Sequence, residues 1–219
     1  MAKQEVERFR LRARCFHWTI VLSGLLLGLT GLFLYVPAFG VAAQGGYSRV
    51  IHRVASIIFI LSPLIYMVWN PRSVGSFIKE ILTYGKDDVE WAKAAPDYYF
   101  GGEESKMPPQ GHVNAGQKLY GLTAVGCGVG LAVTGLIMWF GKGSVSPAVF
   151  LWSAFVHDLL FIVFAVMTLV HMYLGGLHPT MTESLRSMIT GKASVDYVKH
   201  HYGKWYEKEI VGANEGEQK

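Results

Sequence analysis

Four histidines, His17, His52, His157 and His171, lie inside or at the mouth of long apolar segments in a chain of 219 residues. An ionisable side chain at membrane depth is costly enough to mark a functional site. His157 and His171 share one segment, fourteen residues apart. At about 100° and 1.5 Å per residue, they are roughly 40° from a common helix face and about 21 Å apart along the axis. That puts one imidazole near each leaflet on nearly one face. Two stacked haems, each iron held between two imidazoles, need such an arrangement.

The elements that must carry these side chains are apolar runs at 16–36, 54–70, 119–140 and 149–174. The chain is 51% hydrophobic and 16% charged, against about 25% charged in soluble domains. A hydrocarbon core takes about 20 apolar residues to cross as a helix. Only helices or closed barrels satisfy their backbone in lipid, so runs of this length are predicted helices. The expected fold class is an all-α membrane protein, a four-transmembrane-helix bundle over residues 1–175. A cytoplasmic loop is expected at 71–118 and a charged cytoplasmic tail at 176–219. Within the loop, Arg72–Trp91 has the spacing of a surface helix, while Ala95–Gly111, rich in Gly and Pro, reads as irregular. The connector Pro37–Gly46 joins the first two spans. The first span follows Arg8, Arg10, Arg12 and Arg14, but its apolar run is long and no small-residue cleavage site follows, so it reads as retained.

Seventeen of the twenty Lys and Arg fall in the N-terminal arm, the loop and the tail; only Arg49, Arg53 and Lys142 fall on the other side. The positive-inside rule then places both termini in the cytoplasm of a multi-pass protein of the cell inner membrane. The net charge of +4 reflects that bias and does not point to nucleic acid. Cys15 and Cys127 are the two cysteines, with no C-x-x-C-H, so a haem here is b-type and not covalently attached. Any iron–sulfur cluster feeding the chain must belong to a partner.

Topology restricts how the histidines pair. His17 and His171 fall at the inner leaflet, His52 and His157 at the outer, so each histidine of the fourth span has one partner at its own depth. A single membrane histidine is commonly a hydrogen-bonded packing residue; four matched by depth favour two haem b groups. Gly24, Gly28 and Gly31 follow His17 along one face, an arrangement expected to favour the inner pair. Gly121, Gly128 and Gly135 form a second strip, and both strips are equally readable as close helix packing. His112, His178, His200 and His201 are expected to be solvated or at a headgroup surface. Asp158 is expected at a partner surface or a helix end. Arg12, Arg14, Arg49 and Arg53 are expected as headgroup anchors.

Asn114-Ala115-Gly116-Gln117-Lys118 precedes the third span on the leaflet of His17 and His171. Its polar groups suit a quinone head group, although locally an ordinary helix start with Asn114 as N-cap is the simpler reading. Together, Arg14–Thr19, Ile51-His52, Asn114–Lys118, Thr134-Gly135, the His157/His171 span and Lys199–Tyr206 resemble the cytochrome b (gamma) subunit of membrane-bound formate dehydrogenases over nearly the whole chain. The resemblance implies bis-histidine haems in the pairing above. It also implies a menaquinone pocket bordered by Asn114, Gly116, Gln117 and His171, with menaquinone as electron acceptor. An iron–sulfur subunit and a molybdopterin-type catalytic subunit are implied outside the membrane. The segment Tyr98–Gly111 departs from that family in length and composition. On this reading electrons pass from the iron–sulfur subunit to the outer haem, then the inner haem, then quinone. Alternatives are the related subunit of a hydrogenase or thiosulfate reductase, a stand-alone b561-type oxidoreductase, or a haem-free anchor whose histidines form a proton path.

Overall fold

The protein is described by a computed structural model covering residues 4–43, 46–101 and 107–212. Among the described residues four helices are long and apolar enough to cross a membrane: α1 (Leu11–Tyr35), α2 (Tyr47–Trp69), α5 (Ala115–Phe140) and α6 (Pro147–Met172). The last continues as a wider, π-type turn over Tyr173–Leu177. All four begin before the apolar runs that reveal them. Polar residues such as Arg12 and Arg14 are tolerated at a helix mouth because the backbone still benefits from hydrogen-bonding to itself where lipid headgroups begin.

Between α2 and α5 lie α3 (Pro71–Leu82) and α4 (Lys86–Phe100). Two helices thus replace the single surface helix expected over Arg72–Trp91, and much of the stretch expected to be irregular from Ala95 is helical. The break falls at Gly85, where the Asp88 carboxylate accepts from the Gly85 N–H at 2.8 Å and caps α4. The helix ends at Gly101, whose φ of +152° suits glycine. The remainder of the Gly/Pro stretch at 102–106, Gln44 and Gly45 of the connector, and tail residues 213–219 lie outside the described residues. Beyond the fourth span the chain forms α7 (Thr182–Thr190), a strand β2 (Lys192–Ser194) and α8 (Val195–His201). The N-terminal strand β1 (Glu5–Glu7) pairs antiparallel with β2, Val6 opposite Ala193.

The chain divides into two compact units. The membrane unit comprises Leu11–Gly75 and Val125–Val166. It is arranged inside out: large apolar side chains such as Leu22, Leu25, Leu151 and Ile162 are exposed, while Ser23, Thr30, Thr134 and Ser153 are buried. An apolar exterior facing lipid and small polar residues at helix seams are what membrane packing selects. The terminal unit comprises the residues up to Arg10, Ser76–Ala124 and those from Met167 onward. Its core is aromatic, with Tyr197, Val198 and Tyr202 packed around Ala193, and Tyr98 and Tyr99 around Met181.

Candidate functional site

In the membrane unit, α2 presents His52 and α6 presents His157 to one another, with ring centres 6.5 Å apart and planes at 57°. A threonine on another helix holds each ring. Thr30 Oγ1 of α1 is 2.9 Å from His52 Nδ1, and Thr134 Oγ1 of α5 is 2.8 Å from His157 Nδ1. The glycine after each threonine makes room for the same ring. A Cβ at Gly31 would lie 3.7 Å from His52 Cε1, and one at Gly135 would lie 3.4 Å from His157 Cε1. Sequence reasoning took His52 and His157 but missed Thr30. The repeated Thr-Gly-Leu at 30–32 and 134–136, each ahead of a histidine by about the same interval, was the available signal.

His17, seventh residue of α1, has its Nδ1 buried with no hydrogen-bond partner among the described residues. The glycine strip that follows it does not serve it. Gly24 faces Phe59 and Gly28 faces Phe161, while Gly31 faces His52. These positions admit aromatic rings and the other histidine, so the expected support for the inner pair is withdrawn. Gly128, too, faces Phe59. Asp158 is half-buried well inside α6, which removes the helix-end reading. Arg53 lies over the Trp139 ring, 5.2 Å from its centre.

The terminal unit contains His171 together with Asn114, Gly116 and Gln117. His171 stacks parallel on Tyr120, ring centres 4.0 Å apart and planes within 5°, and the Tyr120 hydroxyl meets Thr168 Oγ1 at 3.3 Å. Tyr120 is one helical turn beyond Gly116 and Gln117, so the ring that orients His171 belongs to the start of α5. Gly175 allows the approach, since a Cβ there would lie 3.3 Å from His171 Nδ1. Asn114 and Gln117 form a reciprocal cap. Gln117 N–H donates to Asn114 Oδ1 at 2.8 Å and Asn114 N–H to Gln117 Oε1 at 3.0 Å, satisfying two donors at the helix start. Gln117 Nε2 also donates to the Tyr202 hydroxyl at 3.2 Å. Asn114 borders a cavity of about 10 Å³, lined also by Trp91, Tyr98, Tyr99 and His201. That is room for one water and not for a ring. A Cβ at Gly116 would meet Trp91 at 2.9 Å, so the indole closes over this turn. One turn along from Asn114, Lys118 makes a buried ion pair with Asp88 at 2.8 Å and donates to the Thr83 carbonyl at 3.0 Å.

Three of the four histidines expected to be solvated are not. His178 is buried, with Nε2 2.9 Å from the Tyr99 carbonyl oxygen and Nδ1 2.9 Å from Thr180 Oγ1. His201 is half-buried, and its Nδ1 meets the Tyr197 carbonyl at 3.0 Å while its Nε2 meets the Tyr98 hydroxyl at 2.5 Å. His112 accepts at Nδ1 from the Arg8 guanidinium at 2.8 Å, and its carbonyl accepts from the same group. Burial, and then the Arg8 charge, push its pKa down to about 3. Arg8 is itself buried, 4.1 Å from the Tyr202 ring centre and 4.4 Å from that of Trp205. It is no free surface cation. Only His200 is exposed as expected.

The family model for prokaryotic cytochrome b561 matches residues 8–191. The chain is 28% identical to a "Formate dehydrogenase, cytochrome b556 subunit" of Haemophilus influenzae, over 93% of this chain and 83% of that one. It is 27% identical to the "Formate dehydrogenase, nitrate-inducible, cytochrome b556(Fdn) subunit" of Escherichia coli, over 92% of this chain and 90% of that one. It is 21% identical to the "Formate dehydrogenase, cytochrome b556(fdo) subunit" of the same organism, over 93% of each chain.

Proposed function

The chain belongs to the prokaryotic cytochrome b561 family, and from that premise we propose that it is the two-haem membrane subunit of a formate dehydrogenase-like respiratory complex. In this reading it passes electrons from an outer iron–sulfur subunit, fed by a molybdopterin-type catalytic subunit, to menaquinone on the cytoplasmic side. The names of its relatives support the complex. The one-sided distribution of Lys and Arg supports both termini in the cytoplasm.

The observation that carries the proposal is the facing pair His52 and His157. Metal–imidazole bonds of about 2 Å, with about 1 Å more from nitrogen to ring centre, call for ring centres roughly 6 Å apart across one ion. The observed 6.5 Å fits, and both Nδ1 atoms are already held by threonine, which leaves the Nε2 atoms for iron. His17 and His171 are assigned to the second haem by their depth in the sequence. His17 Nδ1 is buried with no hydrogen-bond partner among the described residues, which leaves that nitrogen for a group the chain itself does not supply. When bound, a b-type haem supplies one-electron redox chemistry. The chain's own residues bind it, orient the imidazoles and exclude water.

For the quinone, Asn114 Nδ2 makes no hydrogen bond among the described residues, although Oδ1 is engaged in the cap. It is a donor available to a carbonyl that gains charge. Trp91 and the small cavity must yield for a ring to reach it.

Pyridine haemochrome analysis of the purified protein is expected to give two non-covalent haems per chain; one or none overturns the reading. The quinone assignment is tested by Asn114→Leu and Asn114→Asp, the second of which keeps the cap acceptor. Loss of a hydrogen bond to a charging group costs roughly 1.5–3 kcal/mol, or about tenfold to a hundredfold slower reoxidation of donor-reduced haem by a menaquinone analogue. Normal reoxidation in both variants places the quinone elsewhere.

A further inference from the structure

We propose that Thr30 and Thr134 are positioning residues that fix the tautomers of His52 and His157 and hold the reduction potential of the outer haem down. The inference rests on the haem reading above and adds residues that the reading does not require.

A threonine hydroxyl has one proton. Thr30 gives its proton to the Leu26 carbonyl at 2.6 Å, and Thr134 gives its proton to the Gly130 carbonyl at 2.7 Å. A carbonyl only accepts, so toward the histidine each hydroxyl can only accept as well. Nδ1 of both rings must then carry the hydrogen, and the lone pair is confined to Nε2. In a hydrocarbon surrounding no water competes to reverse this choice. An N–H···O bond on the far side of a ligating imidazole makes the ring a better electron donor. Greater donation favours the oxidised, more positive iron over the reduced one, which lowers the potential.

Hydroxyls that merely bond back to their own helix are common in membrane spans. Ser23 and Ser153 do this, to the Thr19 carbonyl at 2.7 Å and the Val149 carbonyl at 2.8 Å, and reach no histidine. Thr30 and Thr134 differ because each presents its remaining lone pair to the same ring atom of a facing histidine. The arrangement occurs twice, on different helices, each time with glycine next in sequence clearing the neighbouring ring carbon. His17, on the helix that carries Thr30, has no hydrogen-bond partner at Nδ1 among the described residues.

The test is a redox titration of both haems in the purified complex, with low-temperature electron paramagnetic resonance, for Thr30→Val, Thr134→Val and the double variant. Valine keeps the shape and removes the hydroxyl acceptor, leaving only the Leu27 and Leu131 carbonyls beside the two rings. Each single change is expected to alter the balance between oxidised and reduced outer haem about tenfold, at the low end for loss of a ligand's supporting partner. For a one-electron couple that is about 59 mV upward, with a larger rise in the double variant. The inner haem's potential should not move, and Thr30→Ser and Thr134→Ser should restore the outer one, because serine can donate and accept in the same way. An outer potential unmoved in a double variant that retains both haems overturns the proposal. So does a shift of equal size in the serine variants. Loss of the outer haem in the valine variants, with retention in the serine variants, supports it; loss in both overturns it. Fewer than two haems in the unaltered protein is a separate failure, that of the haem reading itself.

Discussion

Four buried hydroxyls in the membrane unit are answered within one helical turn: Ser23, Thr30, Thr134 and Ser153 each donate to the carbonyl four residues back. In the terminal unit, several buried polar groups are answered across the sequence. Arg8 reaches His112, Tyr98 reaches His201, His178 reaches Tyr99 and Lys118 reaches Asp88. The difference follows from the surroundings of each kind of chain. In lipid the helical backbone must satisfy itself before anything else, and a hydroxyl is tolerated when it joins that local arrangement. A polar contact between membrane helices is therefore informative, because local satisfaction was available without it. In the terminal unit long-range polar contacts are the ordinary material of a fold, and most of its histidines serve structure.

The largest expected effect tests the first half of this contrast. On the proposed two-haem reading His157→Ala removes one ligand of a pair, so one of two haem components should be lost completely, and His52→Ala should lose the same one. Visible spectra of the reduced variants check this; loss of different components would separate the two histidines. The terminal unit should respond by destabilisation. Arg8→Met removes charge-assisted hydrogen bonds to His112, at a cost of roughly 3 kcal/mol. Limited proteolysis at the N-terminal strand should then proceed at much lower denaturant than in the unaltered protein.

A smaller effect is expected from acid. His112 is held neutral, with its pKa pushed to about 3 from an ordinary value of 6.5. A depressed folded-state value means that the unfolded chain binds the proton first. The contribution is complete above about pH 6.5 and declines as the pH falls from there toward 3. Denaturation of the terminal unit at pH 7.5 and pH 5 should show this loss, and His112→Gln should flatten the dependence. The smallest effect belongs to the exposed pair of Lys204 and Asp87. Lys204→Ala should change stability by about 0–1 kcal/mol, as surface ion pairs do; a larger change in the thermal midpoint would give that contact a structural weight the comparison denies it.

Much of this molecule was legible along the chain, and the illegible parts share a cause. The four spans were readable because hydropathy is a local property summed over some twenty residues. His52 and His157 were readable as partners because helix length and chain direction fix depth. The glycine strip after His17 misled, because periodicity gives the face of a helix and not the neighbour that face meets; Phe59, Phe161 and His52 fill it. His112, His178 and His201 misled for a related reason. A polar residue in a charged stretch reads as solvated, yet their partners lie up to 104 residues away. The break at Gly85 was missed because the apolar spacing on either side of it stays in phase.

The sequence by itself determined four apolar helices, and it gave the expectation of histidines at two depths and of an excess of cations on one side. Each is set by the solvent that a segment must enter, and lipid admits few solutions. Only the tertiary structure decided which hydroxyl holds each imidazole, that the Asn114 and Gln117 side chains are first of all a helix cap, and that β1 closes onto β2. Such choices depend on which of several chemically equivalent groups arrives within hydrogen-bonding distance, and that is a property of packing between segments far apart in the chain.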